Sequence, residues 1–291
     1  DAVVDDSIGS ISPCTWPPTR SDSAGPPPRY STMGICSRPF SCRNEAAARW
    51  PAEPMEPVAM LAEAEALIAD GRRVSLWDIA PEVRAVAEGL GMPSTVIDVC
   101  DTRALSAAVE ETARELDGID GLVHAAGRVI PEPVGAYTEE SWDAVLDVNL
   151  RAQALLVQFL LPHLEKSASE GGSPAVVGIS SIEGLAANPF IPAYCASKAG
   201  LLGMTRSMAA QLGPSGIRVN AVCPGFIQTP MLQIALDVEE IRTSFEQAAP
   251  LGRLGRPEEI GAAVAFLMSP KASFITGTQL VVDGGVTSRH A

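Results

Sequence analysis

From Val58 onward, apolar residues recur with two alternating patterns. Segments of helical periodicity are each followed by a short run that is apolar on both faces, as in "AVVGI" and "LVV". Such runs are typical of buried parallel strands, so the pattern predicts an α/β fold with a doubly wound parallel sheet and helices on both faces. The carboxyl ends of the strands would form a ligand crevice at one edge of the sheet. The predicted helix and strand pairs are Val58–Ala69 with "RRVSLWD", Pro81–Gly89 with "STVIDV", Arg103–Leu116 with "IDGLVHAAG", Glu139–Leu164 with "SPAVVGISS", Tyr194–Leu212 with "IRVNAVCPG" and Pro257–Met268 with "TQLVVDGG".

Residues 1–57 lack this alternation. They hold ten of the 24 prolines and many serines and arginines, with no sustained period of 2 or 3.6. Proline lacks an N–H and fixes φ, so "PPTRSDSAGPPPRY" does not suit an ordinary helix or a central strand. We therefore expect residues 1–57 to be mostly disordered or irregular, which leaves the first strand of the sheet in doubt. Residues 58–291 are expected to form one folded domain.

Composition narrows the possible partners. The chain has 291 residues, 46% of them hydrophobic, and a net charge of −14. An acidic surface repels phosphate backbones and anionic lipid, so neither nucleic acid nor a membrane is an expected partner. No apolar run approaches the ~18 residues of a membrane span, and no signal-peptide pattern opens the sequence, so the cytoplasm is the expected compartment. The six cysteines form no CxxC pair, which favours free thiols over a metal site.

The segment "GISSIEGLAANPFIPAYCASKAG" carries the candidate chemistry. Tyr194 and Lys198 are four residues apart at a predicted helix start and therefore share one face. A free tyrosine titrates near pH ~10, and a cation beside its oxygen lowers that pKa. Ser181 ends a strand thirteen residues earlier, at the same crevice, where its hydroxyl could hold a substrate oxygen. A Tyr–Lys pair alone is often a surface pair, but together with this serine it is a strong signal.

These motifs resemble the short-chain dehydrogenase/reductase family, from about Ala62 to Gly285. The resemblance implies a Rossmann-type fold and an NAD(P)-dependent enzyme that transfers hydride between nicotinamide and a secondary alcohol or ketone. It implies that Ser181, Tyr194 and Lys198 are catalytic. Tyr194 would be the general acid/base, and Lys198 would lower its pKa and bind the nicotinamide ribose.

The same resemblance assigns a role to Asn149 in "WDAVLDVNL". It matches the family's fourth catalytic residue, which binds the water that carries the proton to solvent. The alternative is an asparagine inside a helix, satisfied by a neighbouring carbonyl. The family usually forms dimers or tetramers through the helices that carry Asn149 and Tyr194, so a homodimer or homotetramer is expected.

The motif "VHAAG" resembles the family's NNAG motif. His124 and Ala125 replace the two asparagines, whereas Ala126 and Gly127 keep the small residues that let the backbone approach the cofactor. His124 could be a catalytic base. A structural replacement is the favoured interpretation, because Tyr194 already supplies the proton chemistry.

A second motif, "CPGFIQTPM", resembles the family's PG motif after the sixth strand. Pro224 and Gly225 would set the turn. Ile227 and Thr229 match the positions at which the family binds the nicotinamide carboxamide. An ordinary Pro-Gly loop is the alternative, and the spacing to Thr229 makes it the weaker one.

Two acidic residues end predicted strands. An acid at Asp78 can accept hydrogen bonds from the adenosine ribose and would repel a 2′-phosphate, which favours NAD over NADP. Asp98 and Val99 match the family's adenine-contacting pair, although a turn or helix-cap role for Asp98 is a serious rival. Arg72 and Arg73 lie at the far end of the Asp78 strand and are interpreted as solvated charges.

The family's glycine-rich phosphate loop, TGxxxGxG, is missing. If the register is fixed from "AEALIADG" and Asp78, its three glycines fall at Pro54, Val58 and Met60. Glycines there make the tight turn and admit the diphosphate, whereas proline lacks an N–H and valine and methionine occupy the space. As written, the chain is expected to bind a dinucleotide weakly or not at all.

The genetic code suggests an origin for this gap. Suppose that each codon is read from the third base of the one before. Met55–Glu56 must then encode Gly, and Trp50–Pro51 must encode Ala. Pro51–Ala52 and Pro57–Val58 encode Gly whenever the first base of the shifted codon is G. The shifted text is A-G-x-x-x-G-x-G, with the family's spacing. We therefore hypothesise that residues 1–57 are read out of frame and that the frame is restored near Ala62. Coincidence or a degenerate paralogue are the alternatives.

Two functions from different classes follow. The leading one is an NAD(H)-dependent alcohol dehydrogenase or ketone reductase. The other is a catalytically impaired scaffold of the same family that binds no cofactor, because the glycine loop is absent. Substrate specificity is expected to lie in "EGLAANPFIP" and in "MLQIALDVEEIRTSFEQAAP", and an apolar or cyclic alcohol is consistent with both.

Overall fold

A computed structural model describes residues 31–36, 58–186 and 188–289. Its centre is a seven-stranded parallel sheet in the order β3-β2-β1-β4-β5-β6-β7. The order reverses between β1 and β4, as in a doubly wound Rossmann-type fold, so the predicted fold class is confirmed. The strands are β1 (Ser31–Cys36), β2 (Arg73–Asp78), β3 (Ser94–Val96), β4 (Gly121–His124), β5 (Ala175–Ile179), β6 (Arg218–Pro224) and β7 (Gln279–Val282).

Helices cover both faces of the sheet, as the periodicity predicts. Trp77 and Leu76 are neighbours on β2, and their side chains enter two separate apolar clusters. Trp77 joins residues of α3, α5 and α6, and Leu76 joins residues of α1, α2 and α9. The α-helices are α1 (Val58–Ala69), α2 (Val83–Leu90), α3 (Thr102–Leu116), α4 (Glu139–Leu146), α5 (Ala152–Ser169), α6 (Pro192–Leu212), α7 (Pro230–Leu236), α8 (Glu239–Ala248) and α9 (Pro257–Met268).

The central strand β1 corrects one expectation. Ser31–Cys36 pairs in parallel with β2 on one side and with β4 on the other, so residues 1–57 are not irregular throughout and the doubt about a first strand is wrong for these six residues. The edges of β2 and β4 each present unpaired N–H and C=O groups, which one strand between them satisfies. That pairing is a tertiary effect, and no local alternation marks it in the sequence. The rest of the predicted irregular segment, including Pro54, lies outside the described residues.

Arg72 corrects a second expectation, because it is not a solvated charge. Its side chain is buried, lies 3.6 Å from the Asp120 carboxylate and donates to the Met268 carbonyl. Arg218 also donates to carbonyls at this end of α9, among them that of Leu267 at 2.6 Å. The last carbonyls of a helix carry partial negative charge and have no partner within the helix, so two arginines are stable there.

The predicted long helix is interrupted where Asn149 lies. α4 is followed by one π-helical turn, Asp147–Arg151, and then by α5. The whole segment Glu139–Ser169 has 31 residues and a window of mean hydropathy 1.4, enough by length and composition alone to cross a membrane. Leu156 and Leu160 are completely buried in the core beside the sheet, so this hydropathy belongs to a packed helix.

We expect Leu160→Ala to lower the free energy of unfolding by about 2–5 kcal/mol, because truncating a fully buried leucine removes transfer free energy and leaves a cavity. Leu251→Ala is the matched control, since Leu251 is 68% exposed, and a surface truncation changes stability by about 0.5 kcal/mol or less. Urea unfolding followed by circular dichroism measures both. Equal losses in the two variants would contradict the placement of α5 in the core.

Candidate active site

The candidate site lies where β4, β5 and β6 end. Parallel strands direct their carboxyl ends to one edge of the sheet, and the strand order reverses between β1 and β4. Gly127 follows β4, Ser181 follows β5 and Gly225 follows β6. Tyr194 and Lys198 lie in the first two turns of α6, which begins with Pro192 at its first position and packs on β6.

Ser181 lies near Tyr194, and its hydroxyl opposes the rise of the Tyr194 pKa. Ser181 has extended backbone and caps the short 3₁₀ turn Ile182–Gly184, and its Oγ accepts from the Glu183 N–H at 3.1 Å. This bond orients the serine hydroxyl at the end of β5, and its catalytic role stays a prediction.

Lys198 is close to the tyrosine but is not hydrogen-bonded to its oxygen. The lysine is 3% exposed, its Nζ donates to the Ile179 carbonyl at 2.7 Å, and it lies 5.4 Å from the centre of the Tyr194 ring. Burial disfavours the charged amine and lowers the pKa of Lys198 to about 8.

The pKa of Tyr194 differs from the sequence expectation. Burial of the phenol raises its pKa to about 12, the Ser181 hydroxyl opposes that rise, and the negative charge of Glu183 adds to it. The expected lowering of the Tyr194 pKa by Lys198 is therefore not found. The ammonium group donates to the Ile179 carbonyl and makes no hydrogen bond to the phenol oxygen.

Asn149 connects two parts of the site. It is completely buried in the π-helical turn, and its Oδ1 accepts from the Arg128 N–H at 2.7 Å. Its Nδ2 donates to the Arg128 carbonyl at 2.9 Å and to Ser197 Oγ at 2.9 Å. The amide thus ties the segment after β4 to α6. π-Helical turns are frequent at functional sites, and the water-binding role of Asn149 stays a prediction.

His124 is completely buried in β4. Its Nε2 hydrogen-bonds to the carbonyl of Val148, directly before Asn149, at 3.1 Å. Burial and the positive charge of Lys198 lower the pKa of His124 to about 3, so the ring is neutral near pH 7. A neutral, enclosed ring that holds a helix carbonyl fits the structural role better than that of a base.

Of the two acidic residues expected to face adenosine, one is buried and one is exposed. Asp78 ends β2, is 1% exposed, and its Oδ1 accepts from the Ala80 N–H at 2.8 Å. Asp98 is exposed, and its Oδ1 accepts from the Cys100 N–H at 2.8 Å. This bond is the turn role that was predicted from the sequence as the alternative to a contact with adenine. Val99 is buried in the apolar core.

The small residues of the two loops have different surroundings. Ala126 is buried, and a Cβ added to Gly127 would meet nothing nearer than Lys198 Nζ and Met231 Cε, both at 3.8 Å. An added Cβ would therefore be in ordinary van der Waals contact with the ammonium group and with the methyl group of Met231. A Cβ on Gly225, in contrast, would lie 2.7 Å from Asp283 Cα, so this glycine is required for the close approach of the chain after β7.

The other residues of the PG motif lie along the same loop. Pro224 ends β6, Ile227 is buried and forms an isolated parallel bridge with Gly255, and Thr229 is the residue directly before α7. The helices α7 and α8 occupy the segment that the sequence assigned only to substrate specificity.

The described residues fit part of a nicotinamide dinucleotide. Lys198 supplies a donor beside Gly127, and Asp78 supplies a buried acceptor at the end of β2. The connection from β1 to α1, residues 37–57, would hold the diphosphate and lies outside the described residues. Within the described part of the chain, no three His, Cys, Asp or Glu side chains group as metal ligands.

Sequence reasoning missed several contacts of this site. Ser197 stands inside the "YCASK" motif, yet its bond to Asn149 depends on how α6 packs beside the π-helical turn. Glu183 and Asn188 stand in a segment assigned to specificity, and their hydrogen bond at 3.0 Å joins residues five positions apart in a loop. The one feature of the sequence that could have indicated these contacts is the acidic residue Glu183, two positions after Ser181.

A doubly wound sheet with serine, tyrosine and lysine at its carboxyl edge places the protein among the oxidoreductases with a Rossmann-type fold. Comparison with known proteins gives the family. Residues 61–287 match the family profile described as enoyl-(acyl carrier protein) reductase, and the match begins directly after Met60. The chain belongs to the short-chain dehydrogenase/reductase family.

Individual relatives match over most of their length. The chain is 37% identical over 223 residues to the 3-oxoacyl-[acyl-carrier-protein] reductase FabG of Thermotoga maritima, covering 75% of this chain and 88% of that protein. It is 37% identical over 228 residues to the cyclopentanol dehydrogenase of Comamonas sp., covering 76% and 90%. The ligand-free structure of Thermoplasma acidophilum aldohexose dehydrogenase superposes with a TM-score of 0.76 at 28% identity, covering 90% of this chain and 96% of that one.

The buried His124 predicts a specific pH dependence of stability. Its pKa is about 3 when folded and about 6.5 when unfolded, so below pH 6.5 the unfolded chain binds a proton that the folded chain does not. Stability from this group is complete above pH 6.5 and is lost as the pH falls toward 3. Between pH 7.5 and 5 we expect the wild type to lose on the order of 2 kcal/mol more than His124→Asn.

Urea unfolding at the two pH values measures this difference. His163→Asn is the matched control, because His163 lies outside the buried core, beside Glu110. If wild type and His124→Asn lose the same stability on acidification, His124 is not held neutral in the folded state.

Proposed function

We propose that the protein is an NAD(H)-dependent oxidoreductase that interconverts a secondary alcohol and a ketone, with Tyr194 as the general acid/base. The observation that carries this proposal is that Ser181, Tyr194 and the buried Lys198 lie together at the carboxyl edge of the sheet, with the ammonium group 5.4 Å from the centre of the Tyr194 ring. Family membership supports oxidoreduction of alcohols or ketones, and the relatives named above include a ketoacyl reductase and a cyclic alcohol dehydrogenase. A homodimer or homotetramer in the cytoplasm is the expected form.

Each residue has a distinct task in this scheme. Ser181 Oγ binds the oxygen of the alcohol or ketone, near the phenol whose pKa it lowers. Tyr194 takes the proton from the alcohol during oxidation and returns it during reduction. When bound, the nicotinamide would accept or supply the hydride.

Lys198 supplies the charge that makes Tyr194 a usable acid/base. A cation that approaches the phenol oxygen favours the phenolate and lowers the pKa of Tyr194 from its raised value. In the described arrangement the ammonium group instead donates to the Ile179 carbonyl. We therefore propose that activation of Tyr194 includes a shift of the Lys198 ammonium group from the Ile179 carbonyl toward the phenol oxygen when the nicotinamide ribose binds.

The preference for NAD is proposed from Asp78. Its carboxylate ends β2 and is almost completely buried. A fixed negative charge there accepts hydrogen bonds from ribose hydroxyls and repels a 2′-phosphate. Asp98 and Val99 remain proposed adenine contacts, and the loop Pro224–Thr229 remains the proposed contact of the carboxamide.

Replacement of the tyrosine tests the catalytic assignment. We expect Tyr194→Phe to lower kcat/KM by about 10²–10⁴-fold, because it removes only the group that moves the proton. Tyr137→Phe is the matched control and is expected to retain activity, since Tyr137 packs on Trp142 away from the site. Oxidation of cyclohexanol with NAD, followed by NADH absorbance, is the measurement. Full activity of Tyr194→Phe would remove Tyr194 from the mechanism.

Cofactor titration tests the role of Asp78. We expect NADH to bind more tightly than NADPH. Asp78→Asn keeps the acceptor for Ala80 but removes the charge, and should narrow the ratio of the two dissociation constants by about tenfold. Asp98→Asn is the control and should leave the ratio unchanged. Fluorescence of the bound reduced nicotinamide gives both constants, and equal affinities in the wild type would contradict NAD preference.

A second candidate function is a catalytically impaired scaffold that binds no cofactor. The observation that favours it is the connection between β1 and α1, where residues 37–57 contain no glycine and α1 begins at Val58. No binding of NADH at millimolar concentration would support this candidate.

The frame of the coding sequence decides between the two candidates. A shifted frame before Ala62 would restore a glycine loop, and resequencing of the coding DNA tests for it. A peptide mass that matches "WPAEPMEPVAMLAEAEALIADGR" would show that the frame is unbroken.

A further inference from the structure

A carboxylate is built into the site next to the proposed catalytic pair. Glu183 follows Ser181 by two residues, and its backbone N–H donates to Ser181 Oγ at 3.1 Å. The adjacent Gly184 packs so tightly on α6 that an added Cβ would lie 2.9 Å from the Lys198 carbonyl. The 3₁₀ turn that carries Glu183 is thus fixed against the helix that carries Tyr194.

The Glu183 side chain is held in one direction. Its Oε1 accepts from Asn188 Nδ2 at 3.0 Å. Asn188 is itself held, because its Oδ1 accepts from the Phe190 N–H at 3.1 Å and its carbonyl contacts Cys195 Sγ at 3.9 Å. Since Asn188 occupies one carboxylate oxygen, the other oxygen, Oε2, can accept from a ligand.

The charge of Glu183 reaches the reacting groups. It raises the pKa of Tyr194 and that of the neighbouring Cys195, which agrees with the position of Glu183 beside Ser181, to whose Oγ its N–H donates. Glu183 is also only partly exposed, which weakens screening of its charge by water. A substrate oxygen bound by Ser181 and Tyr194 would therefore place its neighbouring carbon near a fixed negative charge.

We propose that Glu183 is a specificity-determining residue, whose carboxylate accepts a hydrogen bond from a second hydroxyl of the substrate, on the carbon next to the reacting one. The preferred substrates are then vicinal diols and α-hydroxyketones. This inference rests on the proposed function and names its substrate class.

The cost of removing water from the Glu183 carboxylate explains why a substrate with a second hydroxyl is preferred. A substrate that fills the site removes water from the carboxylate, and a hydroxyl donor replaces the lost hydrogen bond. A plain alcohol offers no such donor and leaves the charge desolvated. An anionic substrate is repelled by Glu183 and by the net charge of −14. The carboxylate therefore disfavours plain alcohols and anionic substrates in addition to binding substrates with a second hydroxyl.

The direct test compares cyclohexanol with trans-1,2-cyclohexanediol, using NAD and the purified full chain. We expect the wild type to favour the diol in kcat/KM. Glu183→Gln should lower the ratio of kcat/KM for the diol to kcat/KM for cyclohexanol by about tenfold, because it removes the charge and keeps the shape. Glu88→Gln, at an exposed position on α2, is the matched control.

A second measurement separates a charge effect from a structural one. Without the negative charge of Glu183, the phenol of Tyr194 ionises more easily, so the acidic limb of the pH–rate profile on cyclohexanol should move to lower pH in Glu183→Gln. Glu183→Asp keeps the charge and withdraws the carboxylate by one methylene. It should keep the wild-type profile and lose part of the diol preference.

The outcomes distinguish this inference from the proposed function. Turnover of cyclohexanol without a diol preference, or equal loss of both activities in Glu183→Gln, overturns the substrate class and leaves the oxidoreductase assignment intact. No turnover of either alcohol by the wild type overturns the proposed function, and the substrate class with it.

Discussion

The site depends on one buried hydrogen bond, from the ammonium group of Lys198 to the carbonyl of Ile179. An ammonium group that is 3% exposed is stable only if its donors find acceptors, and the last carbonyl of β5 is the acceptor that the sheet presents there. This bond joins α6 to the carboxyl end of β5. It thereby brings the tyrosine of α6 against Ser181, the second residue after the strand. The ammonium group is thus bonded to a carbonyl and not to the phenol oxygen, and burial of the phenol raises the pKa of Tyr194.

Three charged or chargeable groups around Tyr194 act against one another. Lys198 would favour the phenolate, Glu183 opposes it, and His124 carries no charge near pH 7 because burial and Lys198 prevent its protonation. A protonated His124 would place a second cation beside the lysine. The neutral ring instead holds the Val148 carbonyl in the π-helical turn, and the next residue, Asn149, can then reach both the Arg128 segment and Ser197. His124 thus both bonds the Val148 carbonyl and stays neutral beside Lys198, at a position where the family motif has asparagine.

Much of the fold and part of the site were predictable from sequence, for physical reasons. Helical periodicity and runs that are apolar on both faces report burial directly, so the alternation after Val58 gave the doubly wound sheet. The spacing of Tyr194 and Lys198 gave their shared helix face. β1 was missed because it is stabilised by pairing with two distant strands. The burial of Arg72 was missed because its partners, Asp120 and the Met268 carbonyl, come from other parts of the chain. The position of the Lys198 ammonium group depends on a carbonyl of another element, and spacing along one helix cannot reveal it.

The arrangement of α1 bears on whether the chain can bind a dinucleotide. A helix N-terminus attracts phosphate because its first N–H groups have no partners within the helix, and the preceding turn must let the phosphate approach the backbone. Here α1 begins at Val58, so two of the three positions at which the family has glycine, Val58 and Met60, lie within the first turn of the helix. At these two positions the sequence has valine and methionine where the family has glycine. The departure from the family's glycine pattern is thus confined to the segment before Ala62. Ser181, Tyr194 and Lys198 lie further along the chain, and their elements are joined by the bond from Lys198 to the Ile179 carbonyl, which does not involve that segment.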